Sequence, residues 1–182
     1  IAKKTAEEIN DKRLQRICNN NLASIFIELQ EFEKGKQYAE KSLELAKELN
    51  DEYAISSSTY NIASAAMQLK EYDKSLALYK EIESIGKRTE DPITILDGWL
   101  GSADALSAMS KASDAEKKYR QVIRFSKEKN TPEYEMYACM GLGDLLLKNN
   151  RLNEAAQFID TGILITKKQG SMLELKDLYL KA

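Results

Sequence analysis

The chain has 182 residues, 43% hydrophobic and 31% charged, and its 27 Lys and Arg against 29 Asp and Glu leave a formal charge of −2. That near-neutral balance speaks against a dedicated nucleic-acid binder, which carries a strong basic excess, and no apolar run reaches the roughly 18 residues that a membrane span needs. Histidine is absent, which removes the usual general base and the commonest nitrogen ligand for metals.

In chain order, residues 1–10 read as the end of a helix, and Asp11 then opens a period of 40 residues. Positions 11, 51, 91, 131 and 171 hold Asp11, Asp51, Asp91, Thr131 and Ser171, residues whose side-chain oxygen satisfies a free N–H in the first helical turn. Pro92 and Pro132 directly follow their caps, at the first helical position, where the missing N–H is tolerated. A second set falls at Glu33, Asp73, Ser113 and Asn153. Each unit is therefore expected to hold a helix A, a short turn and a helix B, with starts near its first and twenty-third residues. The expected organisation is one array over 1–182: the end of an upstream repeat (1–10), full repeats at 11–50, 51–90, 91–130 and 131–170, and the start of a fifth (171–182). Residues 171–182 are expected to dock their apolar side chains on the preceding helix B as an improvised cap. The chain begins with Ile1 and both ends cut through a repeat, so it reads as a piece of a longer protein. The thiols of Cys18 and Cys139, 121 residues apart, fit no metal or redox motif. They point weakly to a reducing compartment, so a cytoplasmic address is expected, the alternative being the periplasmic sensory region of a membrane-anchored regulator.

Gly35 interrupts an otherwise strongly helical stretch, at a cost of roughly 1 kcal/mol relative to alanine. Its equivalents are Ser75, Ala115 and Ala155, and twelve residues earlier stand Ala23, Ala63, Ala103 and Gly143. All are small, as two closely crossing helices require. Gly35 is thus expected to mark the crossing of helix B against Ala23 on helix A. Because other units accept Ser or Ala there, Gly35→Ala is expected to be neutral or stabilising.

These positions resemble the tetratricopeptide repeat, with its Leu-Gly pair in helix A and Ala-x-x-x-Phe in helix B. The first site reads Leu22-Ala23, Ile62-Ala63, Ser102-Ala103 and Leu142-Gly143, and the second Gly35/Ala39, Ser75/Tyr79, Ala115/Tyr119 and Ala155/Ile159. The family's first Trp site holds Asn19, Thr59, Trp99 and Cys139, its closing Pro is missing, and the period is 40 instead of 34. The resemblance implies an all-α fold, a right-handed superhelix (α-solenoid) of helix-turn-helix repeats. Repeats of this length are similar to those of bacterial peptide-sensing regulators and repeat-bearing sensor kinases, and of some eukaryotic scaffolds.

Catalytic motifs fail on inspection. Gly141-Leu142-Gly143 lacks the third glycine and the preceding strand of a dinucleotide fingerprint, and Gly86-Lys87 lacks both flanks of a phosphate loop. The basic stretch from Lys117 to Lys129 lies on a helix B and reads as a solvated face. No enzyme activity, cofactor or metal is expected.

In the resembling family helix A lines a concave groove. Carried over, the positions around the Leu-Gly pair nominate Asn20, Asn21, Ser24, Tyr60, Asn61, Ser64, Met67, Asp104, Met140 and Asp144 as ligand-binding residues. One turn earlier lie Ile17, Ser57, Asp97 and Tyr137. Asn21 and Asn61 occupy identical places in adjacent units and are expected to form a ladder that holds a partner's peptide groups. Neither is expected to matter for packing, because the equivalents Gly101 and Gly141 lack a side chain. The expected function is a non-catalytic module binding a protein or peptide segment, within a larger bacterial transcription regulator or sensor kinase. It is expected to make no direct nucleic-acid or membrane contact. The alternative is a structural spacer or dimerising arm; the oligomeric state stays open.

Overall fold

The computed structural model describes residues 11–170, which form eight helices and no strand. They are α1 (Lys12–Glu28), α2 (Phe32–Glu48), α3 (Glu52–Gln68), α4 (Tyr72–Arg88), α5 (Pro92–Ala108), α6 (Ala112–Lys129), α7 (Pro132–Lys148) and α8 (Leu152–Gln169). Odd-numbered helices are the A helices and even-numbered ones the B helices. The described residues divide into two compact units at Gly101 and Ser102, with α5 contributing to both. In the first unit α1, α2, α3 and α4 pack consecutively and α1 also touches α3; in the second, α6 packs on α7 and α7 on α8. The expected cap Ser171 and the docking of 171–182 lie outside the described residues.

Three A helices begin as the sequence predicts. Asp11 accepts from the Leu14 N–H at 3.0 Å, Asp51 from Ala54 at 3.0 Å and Asp91 from Thr94 at 3.0 Å. Thr131 makes no such bond, and Pro132 fills the first helical position behind it.

The B helices begin differently. Their first residues are Phe32, Tyr72, Ala112 and Leu152, so Glu33, Asp73, Ser113 and Asn153 lie inside the first turn and cap nothing. The residues in the cap position, Glu31, Glu71, Lys111 and Arg151, offer no side-chain cap bond either. What sets these starts is the end of the preceding A helix. Gln30 takes a left-handed φ of 61°, and the next N–H, of Glu31, turns back to the Phe26 carbonyl at 2.8 Å. That is the Schellman closure of a helix end. It recurs every 20 residues, with positive φ at Asn50, Lys70, Glu90, Ser110, Asn130 and Asn150. The matching bonds include Asp51 N–H to Ala46, Glu71 to Ala66 and Arg151 to Leu146. Since only Gly170 among the left-handed residues is a glycine, the usual stop signal is missing from the sequence.

The B helices bury one stripe at helical spacing: Gly35, Ala39, Ser42 and Ala46 on α2, and Ala155, Ile159, Gly162 and Thr166 on α8. Helices α3 and α7 bury wider faces, nine residues on α3 and seven on α7. The small-residue crossing is present. Ser75 Oγ donates to the Ala63 carbonyl at 2.9 Å, and a Cβ on Gly35 would lie 3.1 Å from the Ala23 carbonyl oxygen. The same Cβ would stand 2.7 Å from Ile27 Cγ1, below normal contact, which overturns the expectation that Gly35→Ala is harmless.

Candidate functional site

The A helices of the first unit carry a cleft of about 290 Å³. Four of the residues nominated from sequence line it: Asn20 and Ser24 on α1, and Tyr60 and Asn61 on α3. Tyr53, Ser56 and Ser57 on α3 and Ile93, Thr94 and Asp97 on α5 complete the wall. Ser57 and Asp97 fall on the inward row read from sequence. Tyr53, Ser56, Ile93 and Thr94 lie in the first or second turn of their helices, N-terminal to the positions carried over from the family. The available signal for them was a large apolar residue two places after the cap, at Tyr53 and again at Ile93, 74% and 42% exposed.

The amide ladder joins different residues from those expected. Asn61 is 8% exposed and donates through Nδ2 to Asn20 Oδ1 at 3.0 Å and to the Asn20 carbonyl at 3.4 Å. Ser24 Oγ donates to Asn61 Oδ1 at 3.4 Å, and Asn20 Nδ2 donates to Ser57 Oγ at 3.2 Å. Asn21 is exposed and lies outside the cleft. The stagger of α3 against α1 sets residue 61 opposite residue 20 instead of residue 21. Asn61 therefore bridges two helices, and the expectation that it is dispensable for packing is corrected. Gly101 and Gly141 do not show the position to be idle. A Cβ on Gly101 would meet the Tyr79 ring at 2.2 Å, and one on Gly141 the Tyr119 ring at 2.5 Å. Where helix B bears tyrosine the next A helix bears glycine; where it bears Ala39, the position is free for Asn61.

Tyr60 is 41% exposed and meets Tyr79 edge to face, with centroids 5.9 Å apart and ring planes at 74°. Such a pair favours one ring orientation, so an exposed aromatic edge stands at a defined angle beside the amide cluster. Ser56 Oγ donates to the Tyr53 carbonyl at 2.8 Å, and Thr94 Oγ1 donates to Asp91 at 2.5 Å. Ser64 and Met67 are half-buried on α3 beyond the cleft.

In the second unit Asp104, Met140 and Asp144 are half-buried. Tyr119 reaches from α6 to donate its hydroxyl to Asp104 Oδ1 at 2.6 Å. Burial pushes the Asp104 carboxyl up to about 6, with the Tyr119 bond pulling the other way. Burial also raises the Tyr119 hydroxyl, assisted by the Asp104 charge. A second cleft of about 470 Å³ lies between Ala112, Ser113, Glu116, Leu145, Leu146, Asn149 and Arg151, and none of the nominated residues lines it. Its charges pair internally: Arg151 meets Glu116 and Glu154 at 2.6 Å each. Hydrogen bonding from Arg151, then from Arg120, holds Glu116 below the usual carboxylate range. Burial pushes the Cys139 thiol up to about 12, which suits an inert core residue. Among the described residues no group of three or more His, Cys, Asp or Glu is placed to hold a metal, and no helix is long and apolar enough to cross a membrane.

The sequence pattern of the family described as MalT-like TPR region matches residues 19–182, and the chain belongs to that family. Three solved structures share the fold. A Rap protein complexed with competence and sporulation factor superposes with a TM-score of 0.88 at 14% identity, over 97% of this chain and 49% of that one. Aspartyl phosphate phosphatase F from Bacillus subtilis gives 0.86 at 15% identity, over 98% and 48%. Kinesin light chain TPR-like repeats from Podosopora anserina give 0.67 at 16% identity, over 93% and 92%. The chain thus spans about half the length of the first two. No match is found among curated protein sequences. At these identities the likeness shows the fold: an α-solenoid of tetratricopeptide-type repeats.

Proposed function

We propose that this MalT-like TPR region is a non-catalytic module that binds a peptide, or an extended segment of another protein, along its A helices, anchored in the first unit's cleft. The observation that carries this reading is the pairing, in one cleft, of an ordered amide and hydroxyl cluster with exposed aromatic surface at Tyr53 and Tyr60. Amides offer a donor and an acceptor to a peptide group, and tyrosines add large contact area at low entropic cost. The Rap structure complexed with competence and sporulation factor is similar in fold over nearly the whole chain, which supports a sensing role within a larger bacterial regulator. No Lys or Arg lines the cleft, and Asp97 does, so it offers a phosphate group no cation to pair with. Asn21, Ser64, Met67, Asp104, Met140 and Asp144 are proposed as further contacts along the A helices.

Panning a random heptapeptide display library on the protein tests the reading. Enriched peptides should bind the parent and lose about tenfold or more in affinity with Tyr53→Ala or Tyr60→Ala, side chains exposed enough to remove without unfolding the protein. Failure to enrich any sequence, or peptides indifferent to both substitutions, would overturn it in favour of a spacer or dimerising arm.

A further inference from the structure

Behind the cleft wall two buried hydroxyls connect it to α2. Ser42 on α2 and Ser58 on α3 are both 0% exposed, and their Oγ atoms stand 2.8 Å apart. Ser42 Oγ also faces the Arg16 carbonyl at 3.2 Å, and Ser58 Oγ faces Asn20 Oδ1 at 3.5 Å. The same Asn20 oxygen accepts from Asn61 Nδ2 at 3.0 Å. Asn61 thus holds this carboxamide oxygen with a full bond, and the Ser58 hydroxyl approaches its second lone pair from behind at a distance long for an O–H···O bond. They turn that oxygen inward and leave the Asn20 Nδ2 facing Ser57 and the cleft. Turning the amide over would set its NH₂ against that of Asn61 and deprive Ser58 of an acceptor.

The hydroxyl hydrogens are outnumbered. Ser42 and Ser58 supply one each, yet three contacts call for one: the Arg16 carbonyl, the Ser42–Ser58 contact and Asn20 Oδ1. The hydroxyl relay can run in two senses. In one, Ser58 donates to Ser42 and Ser42 to Arg16. In the other, Ser42 donates to Ser58 and Ser58 to Asn20. Only the second sense holds the Asn20 amide from behind.

We infer that Ser58 is a positioning residue that presents the donor side of Asn20 to the cleft, and that Ser42 competes for the same hydrogen and weakens that hold. The role for ligands rests on the peptide-binding function proposed for the cleft. The cleft then offers a donor at Asn20 beside an acceptor at Asn61 Oδ1, which suits a backbone carbonyl and a neighbouring N–H of an extended peptide. Such recognition reads the direction of the bound peptide and is indifferent to its side groups at that point.

The two serines predict effects of opposite sign. Ser58→Ala removes the hold on Asn20, whereas Ser42→Ala removes the competitor, and alanine fits either buried site. The side-chain amide signal of Asn20, assigned by its loss in Asn20→Ala, reports hydrogen exchange in the ligand-free protein by ¹⁵N–¹H NMR. Exchange should be several-fold faster in Ser58→Ala and slower than the parent in Ser42→Ala. Shifts of the same sign in both variants, or none in Ser58→Ala, would overturn the inference; a merely structural role would loosen the amide in both. A heptapeptide selected from the random library should bind Ser58→Ala about 2–10-fold more weakly, the range expected for one hydrogen bond, and Ser42→Ala at least as tightly as the parent. Opposite exchange effects with no peptide ever selected would uphold the positioning of Asn20 and sink the peptide-binding reading.

Discussion

Tyr119 lies across Gly141 so closely that a Cβ on the glycine would stand 2.5 Å from the ring's Cε1, while the hydroxyl of the same ring bonds Asp104 at 2.6 Å. The ring thus joins α6 to both neighbouring A-helix segments of its unit. Gly141→Ala gains roughly 1 kcal/mol of helix propensity but forces the ring off its site, and overpacking costs about 1–3 kcal/mol. A net loss in denaturant melts is expected. In a Tyr119→Ala background the same Gly141→Ala change should become stabilising by about 1 kcal/mol. A double-mutant cycle without that reversal of sign would show that the ring does not dictate the glycine.

Gly35→Ala should cost about 1 kcal/mol net. The new methyl meets Ile27 Cγ1 at 2.7 Å and the Ala23 carbonyl at 3.1 Å, and the strain of overpacking exceeds the propensity gain. Equivalent units hold Ser75, Ala115 and Ala155, and there Met67, Ser107 and Leu147 stand at the Ile27 position, none of them β-branched and stiff at the contact as isoleucine is. In an Ile27→Ala background the substitution should turn neutral or stabilising, as read by the urea midpoint. A loss of the same size in both backgrounds would place the conflict in the Ala23 backbone.

These two glycines show where the sequence was legible. The 40-residue period, the Asp caps of the A helices and the small-residue crossing at Ala23 and Gly35 are local chemistry, and each can be read from residue type. The starts of the B helices are not, because the left-handed stops before them use Gln30, Lys70, Ser110 and Asn150 in place of glycine. Position in the repeat also located Asn20, Ser24, Tyr60 and Asn61 on one face. It could not show that Asn61 pairs with Asn20 instead of Asn21, because that depends on the stagger between helices. Tyr53 and Ile93 escaped because no family position marked the first turn.

Glu90→Gly should stabilise the protein by up to about 1 kcal/mol. Glu90 holds a φ of 54°, a left-handed conformation that costs an L-residue about 1–2 kcal/mol. Part of the relief is offset by the greater freedom of glycine in the unfolded state, worth about 0.4–1 kcal/mol. Glu90→Val should move the other way, since a β-branched residue is least suited to that region. Urea melts of the two variants should bracket the parent. A destabilised glycine variant would mean that the Glu90 carboxylate and its stem contribute more than the backbone conformation costs.

The Asp104 carboxyl predicts a pH dependence carried by the second unit. Burial raises it from an ordinary 3.8 to about 6, so the folded protein binds this proton more tightly than the unfolded one. Linkage then requires the contribution of Asp104 to be most favourable below about pH 4 and to be lost as pH rises through about 6. Above that, an ionised carboxylate is half-buried with only the Tyr119 hydroxyl from α6 to solvate it, and the Asp144 charge on α7 acts on the same hydroxyl. Glu116 and Glu154, both held low by Arg151, work in the opposite direction, so the raw pH profile of the parent mixes the two. Asp104→Asn separates them. The amide oxygen still accepts from Tyr119, carries no charge and leaves the arginine pairs untouched. Relative to the parent, the variant should gain stability between about pH 4 and pH 7 and run parallel to it above that range. A constant difference across the whole range would show that Asp104 does not titrate differently in the folded and unfolded states, whatever its distance from Tyr119.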